Sequence, residues 1–212
     1  MAHSYSGLKQ FETCAAQYKF SRIDRLPQPT GPAAERGKML HAEIESVLNG
    51  ELGLLSEEIS YLEEYLAKLR DDGATPEVPF AIDRNWQEVD FKDPDAWLRG
   101  IIDLYATDGP KATILDWKSG KKRDYSDQVK VYATAVLSIH PSIQEIAPCI
   151  YFIDLKKELA YSPIYASQLP QLQQELKERL DAIDNERIFA PNPSTNCRWC
   201  HYRKENGGPC RW

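Results

Sequence analysis

The sequence predicts an α/β fold in which helices flank one mixed central sheet. Apolar residues at helical spacing dominate the amino-terminal third, and short β-branched and apolar runs take over from Pro76. Two further helical patterns then alternate with strand-like runs. The length of 212 residues and the hydrophobic fraction of 42% suit a single domain with a substantial core. We therefore expect one domain spanning residues 1–212.

The amino-terminal third predicts three helices. The first is short, and either Ser4 or Ser6 can cap it. The second runs from about Ala33 to Leu48, where Asn49-Gly50 ends it, and the third runs from about Ser56 to Arg70. The apolar stripes of the second and third helices indicate packing against a core.

Short strands follow the third helix. They are expected at Glu77–Ile82, near Trp86–Phe91, at Gly100–Asp103 and at Ile114–Lys118. Gly109-Pro110 supplies the turn between the last two. These two strands, with the charged residues they carry, form the centre of the predicted sheet.

The second half of the chain continues the alternation of helix and strand. A helix is expected from Ser126 to about Ile139, with Asp124 or Ser126 as its cap. A buried strand at Ile146–Leu155, a further strand at Leu159–Tyr165 and a long helix from about Ala166 to Asn185 complete the prediction.

Three charged residues are expected to meet at one end of the two central strands. Asp116 and Lys118 are two residues apart on one strand and so project to the same face, where Asp103 of the neighbouring strand can join them. Paired carboxylates hold a hard divalent cation, which activates water and neutralises charge on a phosphate. A lysine beside them can orient the nucleophile or stabilise the transition state. The alternative is a strand-end aspartate beside a solvated Asp116–Lys118 pair.

Other polar residues flank this position in the sequence. The basic loop Ser119–Arg123 follows Lys118 directly, a position suited to binding a phosphate backbone. The alternative is an ordinary solvated loop. Tyr125, Gln128 and Tyr132 share one face of the next helix and can look onto the site. On the second helix His41 lies four residues from Glu45, so the two side chains lie near each other. The alternative to a role for His41 in the site is a purely structural one.

Charge and hydropathy limit the classes of protein to which the chain can belong. The net charge of −6 argues against a general nucleic-acid binder but leaves a local basic groove open. The sequence has no apolar run long enough to cross a membrane, and no signal peptide precedes the first helix. A cytoplasmic location is therefore expected.

The five cysteines are unevenly placed, and their odd number does not suggest a disulfide framework. Cys149 lies in an apolar run and is expected in the core. Cys197, Cys200 and Cys210 lie in an irregular tail and point to metal ligation more than to redox exchange. Cys14, which would join the two ends of the chain, and His201 are the two candidates for a fourth ligand. Zinc and an iron–sulfur cluster both suit such a site, and four ordinary thiols are the alternative.

Taken in order, these residues resemble the RecB-like branch of the PD-(D/E)XK nuclease superfamily. The chain looks most like its iron–sulfur members, the CRISPR-associated RecB-like exonucleases and the nuclease domain of AddB. The resemblance covers nearly the whole chain and rests on five motifs: S-x-L-x-x-F-x-x-C from Ser6 to Cys14, R-G-x-x-x-H from Arg36 to His41, G-x-x-D from Gly100 to Asp103, D-x-K from Asp116 to Lys118, and Q-x-x-x-Y from Gln128 to Tyr132. The ordered set is far more specific than any one motif.

The resemblance implies a restriction-endonuclease-like sheet and metal-dependent cleavage of DNA, as an exonuclease on single-stranded ends. Binding of Mg2+ or Mn2+ would fall to His41, Asp103, Asp116 and the Trp117 carbonyl. Lys118 would position the attacking water. Gln128 and Tyr132 would orient the lysine, the phosphate or the DNA strand, and Glu77 would assist from the preceding strand.

The resemblance also implies a 4Fe–4S cluster, with Zn2+ as the alternative. Its ligands would be Cys14, Cys197, Cys200 and Cys210, and segments 1–25 and 190–212 would together form the cluster subregion. One departure from the family pattern is the gap of nine residues between Cys200 and Cys210, which is longer than expected.

DNA, single-stranded or with frayed ends, is the partner that the resemblance implies, together with proteins of recombination, repair or CRISPR adaptation. Two other classes stay open. One is a DNA-binding or assembly subunit whose nuclease site is vestigial, and the other is a structural zinc protein with an incidental D-x-K. Metal-dependent cleavage distinguishes the first, and metal analysis distinguishes the second.

Overall fold

The computed structural model describes residues 2–51 and 53–212. The described chain divides into two compact units. The larger unit contains residues 31–173 with Ala2, and the smaller one contains residues 3–30 and 174–212. Within the described residues, no helix has the length and apolar character needed to cross a membrane.

Six strands of the described chain form one mixed sheet in the larger unit. The strands run in the order β1-β2-β3-β4-β5, with β6 also pairing with β4. β3 and β4 are parallel, and the other pairs are antiparallel. Their bounds are β1 Thr75–Ile82, β2 Leu98–Asp108, β3 Lys111–Lys118, β4 Glu145–Phe152, β5 Lys157–Ala160 and β6 Ile164–Tyr165. The predicted mixed sheet is confirmed, and most of its pairs are antiparallel.

The helices are α1 Tyr5–Thr13, α2 Ala15–Tyr18, α3 Pro32–Leu48, α4 Glu63–Asp71, α5 Ser126–Ile139 and α6 Leu169–Asn185. Ser4 is the N-cap of α1, and its hydroxyl accepts the N–H of Gly7 at 3.2 Å. A π-helical turn, Lys19–Ile23, extends α2. In the larger unit α5 connects β3 to β4, which is the crossover that a parallel pair requires.

Helices cover both faces of the sheet in the larger unit. α3 and α4 bury their apolar residues in one cluster with side chains of the central strands; its members include Leu40, Ile44, Leu48, Leu66, Leu104, Leu115, Trp117 and Tyr151. On the opposite face, Gln128 of α5 reaches Asp116 of β3. Each buried aliphatic side chain stabilises the fold by about 1.5–3 kcal/mol. The cluster therefore supports α3, the helix that carries His41, firmly against the sheet.

The β2–β3 hairpin closes where the sequence predicts. Asp108 pairs with Lys111, and Gly109 between them has a φ of 58°, a left-handed conformation that favours glycine. The strand predicted near Trp86–Phe91 is wrong, because in that segment only Glu88 makes a bridge, to Ile82. The side chain of Asp83 accepts the N–H groups of Asn85 and Gln87, each at 2.8 Å, and folds the segment into a turn instead.

Several predicted ends of elements are also wrong. The third helix begins at Glu63, after a 3₁₀ turn at Ser60–Leu62, because Ser56 donates to the Glu43 carboxylate of α3 rather than entering a helix. Tyr125 is the N-cap of α5, and the predicted cap Asp124 instead accepts the N–H of Ser126 at 2.9 Å. The predicted strand 159–165 divides into β5 and β6, the predicted strand 146–155 ends in a 3₁₀ turn over 153–155, and the last helix begins with a 3₁₀ turn over 166–168.

Candidate active site

The site forms where β2 and β3 separate. Their ladder ends at the pair Leu104–Leu115, and the strands diverge towards the carboxyl end of β3. Beyond that point the backbone of Trp117 bonds to side chains: its N–H donates to Asp103 Oδ2 at 2.9 Å, and its carbonyl accepts from His41 Nε2 at 2.8 Å. Two side chains therefore satisfy backbone groups that a neighbouring strand would otherwise pair.

His41 presents an imidazole suited to binding a metal. A carbonyl only accepts, so the bond to Trp117 places the proton on Nε2 and leaves a lone pair on Nδ1. Nδ1 lies 3.4 Å from Asp103 Oδ2. Burial lowers the pKa of His41, which favours the neutral ring that a metal ion needs.

Glu77 supplies a second carboxylate next to Asp103. The neighbouring pairs Pro76–Leu104 and Val78–Ile102 place it opposite Asp103 in the ladder of β1 and β2. Its φ of 48° is unusual for a residue with a side chain and costs on the order of 1–3 kcal/mol, as strained residues at functional sites often do. His41, Glu77 and Asp103 each offer one ligand atom within 4.8 Å of the others.

Buried negative charge dominates this part of the cleft. Burial raises the pKa of Asp103 well above its ordinary value, and the nearby charge of Asp116 adds to the rise. Burial also raises the pKa of Glu77, with Glu45 and Asp116 contributing. A divalent cation would relieve this repulsion. Carboxylate oxygens with one imidazole suit Mg2+ or Mn2+, so the residues present fit such an ion.

Asp116 faces the other polar members of the site. Gln128 Nε2 donates to its Oδ1 at 2.6 Å, and Lys118 Nζ lies 2.5 Å from its Oδ2. The Lys118 contact is close enough for an ion pair but poorly directed for a hydrogen bond, which leaves the buried Oδ2 without a hydrogen-bond partner. The expected same-face arrangement of Asp116 and Lys118 is present. The group within metal-ligand spacing contains Glu77, to which the resemblance gives only an assisting role, and does not contain Asp116.

Tyr132 takes part in an aromatic packing that explains the glycine of the G-x-x-D motif. Its ring lies edge-on to Phe80, with the centroids 5.5 Å apart. A Cβ on Gly100 would lie 2.7 Å from the Phe80 ring and 3.5 Å from the Tyr132 ring. Glycine at this position therefore lets two aromatic rings approach the strand that carries Asp103.

A cleft of about 890 Å³ opens onto these groups. One part of its lining is acidic, with Glu45, Glu77 and Asp103, and another part is basic. The basic and aromatic lining residues are Lys38, Lys121, Arg123 and Tyr125. The loop 119–123 therefore does border the site, as its position in the sequence predicts.

In the smaller unit, the four cysteines of the predicted cluster line one cavity. Cys14 Sγ accepts the N–H of Asn192 at 3.4 Å, and Cys197 Sγ accepts the N–H of Ser194 at 3.3 Å. Burial raises the pKa of the Cys200 thiol, and the other three cysteines lie near enough to raise it further. The structure thus brings together residues from both ends of the chain.

The spacing of these sulfur atoms bears on the metal. No three cysteine sulfurs among the described residues lie within 4.8 Å of one another. A closed tetrahedral zinc site, with Zn–S bonds of about 2.3 Å, needs sulfurs roughly 3.8 Å apart.

His201, the other candidate for a fourth ligand, packs edge-on against Tyr202, with ring centroids 5.8 Å apart. Cys149 is buried in the core of the larger unit, as predicted.

Comparison with known proteins identifies the class. A family model of the PD-(D/E)XK nuclease superfamily matches residues 2–89 and 62–204. The chain therefore belongs to the PD-(D/E)XK nuclease superfamily. No match was found among curated proteins.

Solved structures show the same fold. A candidate exonuclease from Eubacterium rectale is similar at a TM-score of 0.57 and 15% identity, over 95% of this chain and 88% of that one. The protein SSO0001 is similar at a TM-score of 0.51 and 16% identity, over 95% of this chain and 83% of that one. At such identities the likeness concerns the fold alone.

Proposed function

We propose that this chain is a divalent-metal-dependent deoxyribonuclease that hydrolyses phosphodiester bonds, acting as an exonuclease on single-stranded DNA ends. The observation that carries the proposal is the convergence of His41, Glu77 and Asp103 at the opening between β2 and β3, beside Asp116 and Lys118. Membership in the PD-(D/E)XK superfamily supports the nuclease. The choice of single-stranded ends rests on the resemblance to iron–sulfur exonucleases.

Mg2+ or Mn2+ would be held by His41, Asp103 and Asp116, and the position of Glu77 supports adding it to this set. The Trp117 carbonyl, the other predicted ligand, instead accepts from His41 Nε2, on the side of the ring away from Nδ1. When bound, such an ion polarises the phosphate and lowers the pKa of a water molecule. His41 and Asp103 already contact the backbone of Trp117, so their side chains are oriented before any ion arrives.

Lys118 would orient the attacking water and offset the charge that develops on the phosphate. Its ammonium group is held beside Asp116, and Asp116 is in turn held by Gln128. Gln128 would therefore act by fixing the pair that performs the chemistry. Tyr132, packed on Phe80, would support the helix that presents Gln128.

The DNA strand would lie in the cleft with its phosphates near the basic lining. Lys38, Lys121 and Arg123 offer positive charge there, although the whole chain carries a net charge of −6. Tyr125 offers a ring on which a base could stack. A single strand, whose bases are free to stack, uses both features.

We further propose that Cys14, Cys197, Cys200 and Cys210 bind a 4Fe–4S cluster within segments 1–25 and 190–212. The shared cavity and the N–H···S hydrogen bonds support a site built from the four thiols, and the choice of a cluster over zinc rests on the resemblance to iron–sulfur exonucleases. Anaerobic purification followed by metal analysis tests it. Iron with acid-labile sulfide supports the cluster. Zinc in a colourless protein contradicts the cluster but leaves the nuclease proposal unaffected.

Cleavage of single-stranded DNA labelled separately at each end tests the main proposal. The assay is run with Mn2+, with Mg2+ and with chelator, beside an Asp116→Ala variant. Metal-dependent cutting that the variant loses supports the nuclease, and the label released first gives its polarity. If anaerobically prepared, cluster-loaded protein cuts no DNA, the chain is a DNA-binding or assembly subunit instead.

A further inference from the structure

Asp154 connects two elements at the edge of the cleft. It lies in the 3₁₀ turn that follows β4, and its carboxylate accepts hydrogen bonds from both sides. Arg36 of α3 donates to Oδ1 at 2.5 Å and to Oδ2 at 3.3 Å. The backbone N–H of Gly120 donates to Oδ2 at 2.6 Å.

Gly120 belongs to the basic loop that begins directly after Lys118. Its φ of 94° lies in the region that favours glycine, so the loop makes a turn here that other residues would resist. Lys121 and Arg123, on the far side of the turn, line the cleft with Asp103. The Gly120 amide is therefore a fixed point between the strand that carries Lys118 and the basic residues of the cleft.

Arg36 holds Asp154 in a two-bond fork. Its Nε also donates to Glu58 Oε1 at 2.6 Å, so the guanidinium is fixed from two directions. The hydrogen bonds from Arg36 lower the pKa of Asp154, so the carboxylate stays ionised and acts only as an acceptor. Because its charge is paired, it does not repel a nearby phosphate as a free carboxylate would.

We propose that Asp154, oriented by Arg36, is a positioning residue that holds the basic loop 119–123 in the shape that grips the phosphates of a single DNA strand. The proposal rests on the proposed function and deepens it by naming what builds the phosphate grip. A loop ordered in advance loses less entropy on binding than a free one. The arginine of the R-G-x-x-x-H motif, Arg36, thereby acts on DNA through Asp154 and the loop.

The kinetic test compares Asp154→Ala with Glu58→Ala. Both substitutions remove one carboxylate from Arg36, but only Asp154 bonds to the loop. Asp154→Ala is expected to raise KM for single-stranded DNA about tenfold, equivalent to about 1.4 kcal/mol, while kcat changes less than about twofold. Glu58→Ala is expected to leave both values within about twofold of wild type. Equal effects of the two variants overturn the proposal.

Asp154→Asn is a second variant, which keeps an acceptor for the Gly120 N–H while losing the charge that pairs with Arg36. Its KM for single-stranded DNA should lie between that of the wild type and that of Asp154→Ala. If Asp154→Ala does not fold, this variant carries the comparison with Glu58→Ala. No change in KM for Asp154→Asn then overturns the proposal.

A double-mutant cycle links Asp154 to the charges of the loop. Lys121→Ala with Arg123→Ala weakens binding in the wild-type background, and a smaller loss is expected when Asp154→Ala is already present. The coupling is expected because a loop that Asp154 no longer holds places Lys121 and Arg123 less favourably for binding the phosphates. Strictly additive effects overturn the proposal.

A binding assay separates this inference from the nuclease itself. Anisotropy of a fluorescein-labelled thymidine oligonucleotide, measured with chelator, reports affinity without any cleavage. Hydrogen exchange at the Gly120 amide reports whether the loop is held. Wild-type protein that binds but does not cut contradicts the proposed function alone. Unchanged affinity and unchanged Gly120 exchange in Asp154→Ala overturn the positioning role alone.

Discussion

His41 donates the proton on its Nε2 to the main-chain carbonyl of Trp117 across 2.8 Å, joining α3 to β3 where the sheet opens. This hydrogen bond connects the helix to the strand, and the Trp117 carbonyl oxygen that accepts it also belongs to the predicted ligand set. The packing of α3 on the core and the geometry of the site are therefore linked through one side chain.

Replacing His41 with alanine should abolish metal-dependent cleavage. The change removes a ligand and also releases the Trp117 carbonyl. Mn2+ affinity should therefore fall by more than the roughly 10–100-fold that is typical when a residue hydrogen-bonded to a metal ligand is lost. Titration calorimetry with Mn2+ and cleavage assays measure the two effects. Met39→Ala is the matched control, because Met39 lies on the same helix and is 71% exposed. Wild-type Mn2+ affinity in His41→Ala would exclude His41 as a ligand.

Asp103→Asn should stabilise the metal-free protein at high pH while destroying activity. The pKa of Asp103 is raised in the fold, so above its unfolded pKa the native state binds more protons than the unfolded one, and stability falls as pH rises through the folded pKa. Asparagine removes this loss and can still accept the Trp117 N–H. Thermal unfolding with chelator should show a higher Tm for the variant at about pH 8, by about 2–4 °C per kcal/mol, and a smaller difference at about pH 4. A lower Tm for the variant at pH 8 contradicts this account.

Lys118→Met should separate catalysis from metal binding. The lysine pairs with Asp116 and is not among the ligands, so its loss removes transition-state stabilisation and leaves more negative charge near the ion. Single-turnover cleavage should fall by about 10²–10³-fold, the range seen when one stabilising donor is removed. Mn2+ affinity should stay equal or rise. A variant that loses Mn2+ binding would instead make Lys118 a structural residue.

Gly100→Ala should destabilise the fold through overpacking. The added methyl group would meet the Phe80 ring at 2.7 Å inside the core, which costs about 1–3 kcal/mol. Urea unfolding measures the loss, and Phe80→Leu in the same chain should restore part of it. Gly53→Ala is the control, since nothing lies within 4 Å of its added Cβ. Equal stability of the two alanine variants contradicts the packing role of Gly100.

Cys14→Ala should lower the iron and acid-labile sulfide of anaerobically purified protein, whereas Cys149→Ala should not. Cys14 lines the cavity shared with the three late cysteines, and Cys149 lies in the core of the larger unit. Iron per protein and the visible absorption of the two variants give the comparison. Equal iron in both would remove Cys14 from the ligand set.

Strand periodicity explains how much of the site the sequence can predict. Residues two apart share a face, and Asp116 and Lys118 do meet as that rule requires. Periodicity does not show where a ladder stops. The separation of β2 from β3 depends on His41 and Asp103 taking over the backbone bonds of Trp117, and His41 lies 76 residues away from Trp117 in the chain.

Two further features are geometric, and a single sequence gives no signal for their geometry. Glu77 joins the site through a positive φ, a conformation that is not expected for a glutamate within a strand. Asp154 meets Arg36 across 118 residues. Arg36 belongs to a motif, but Asp154 alone resembles an ordinary surface charge, and no local pattern pairs the two. The predicted start of the third helix and the strand predicted near Trp86–Phe91 are wrong for a similar reason, since Glu43 and Asp83 accept hydrogen bonds from groups that local rules assign elsewhere.

Trp117 has two roles that a conventional mutational scan would merge. Its indole is buried in the core, while its amide and carbonyl serve Asp103 and His41. Exchanging the side chain leaves those backbone atoms in place, so any defect would report on packing alone. Replacing its amide with an ester by semisynthesis would delete the donor to Asp103 and keep the ring, which makes peptide-bond chemistry the direct way to study this position.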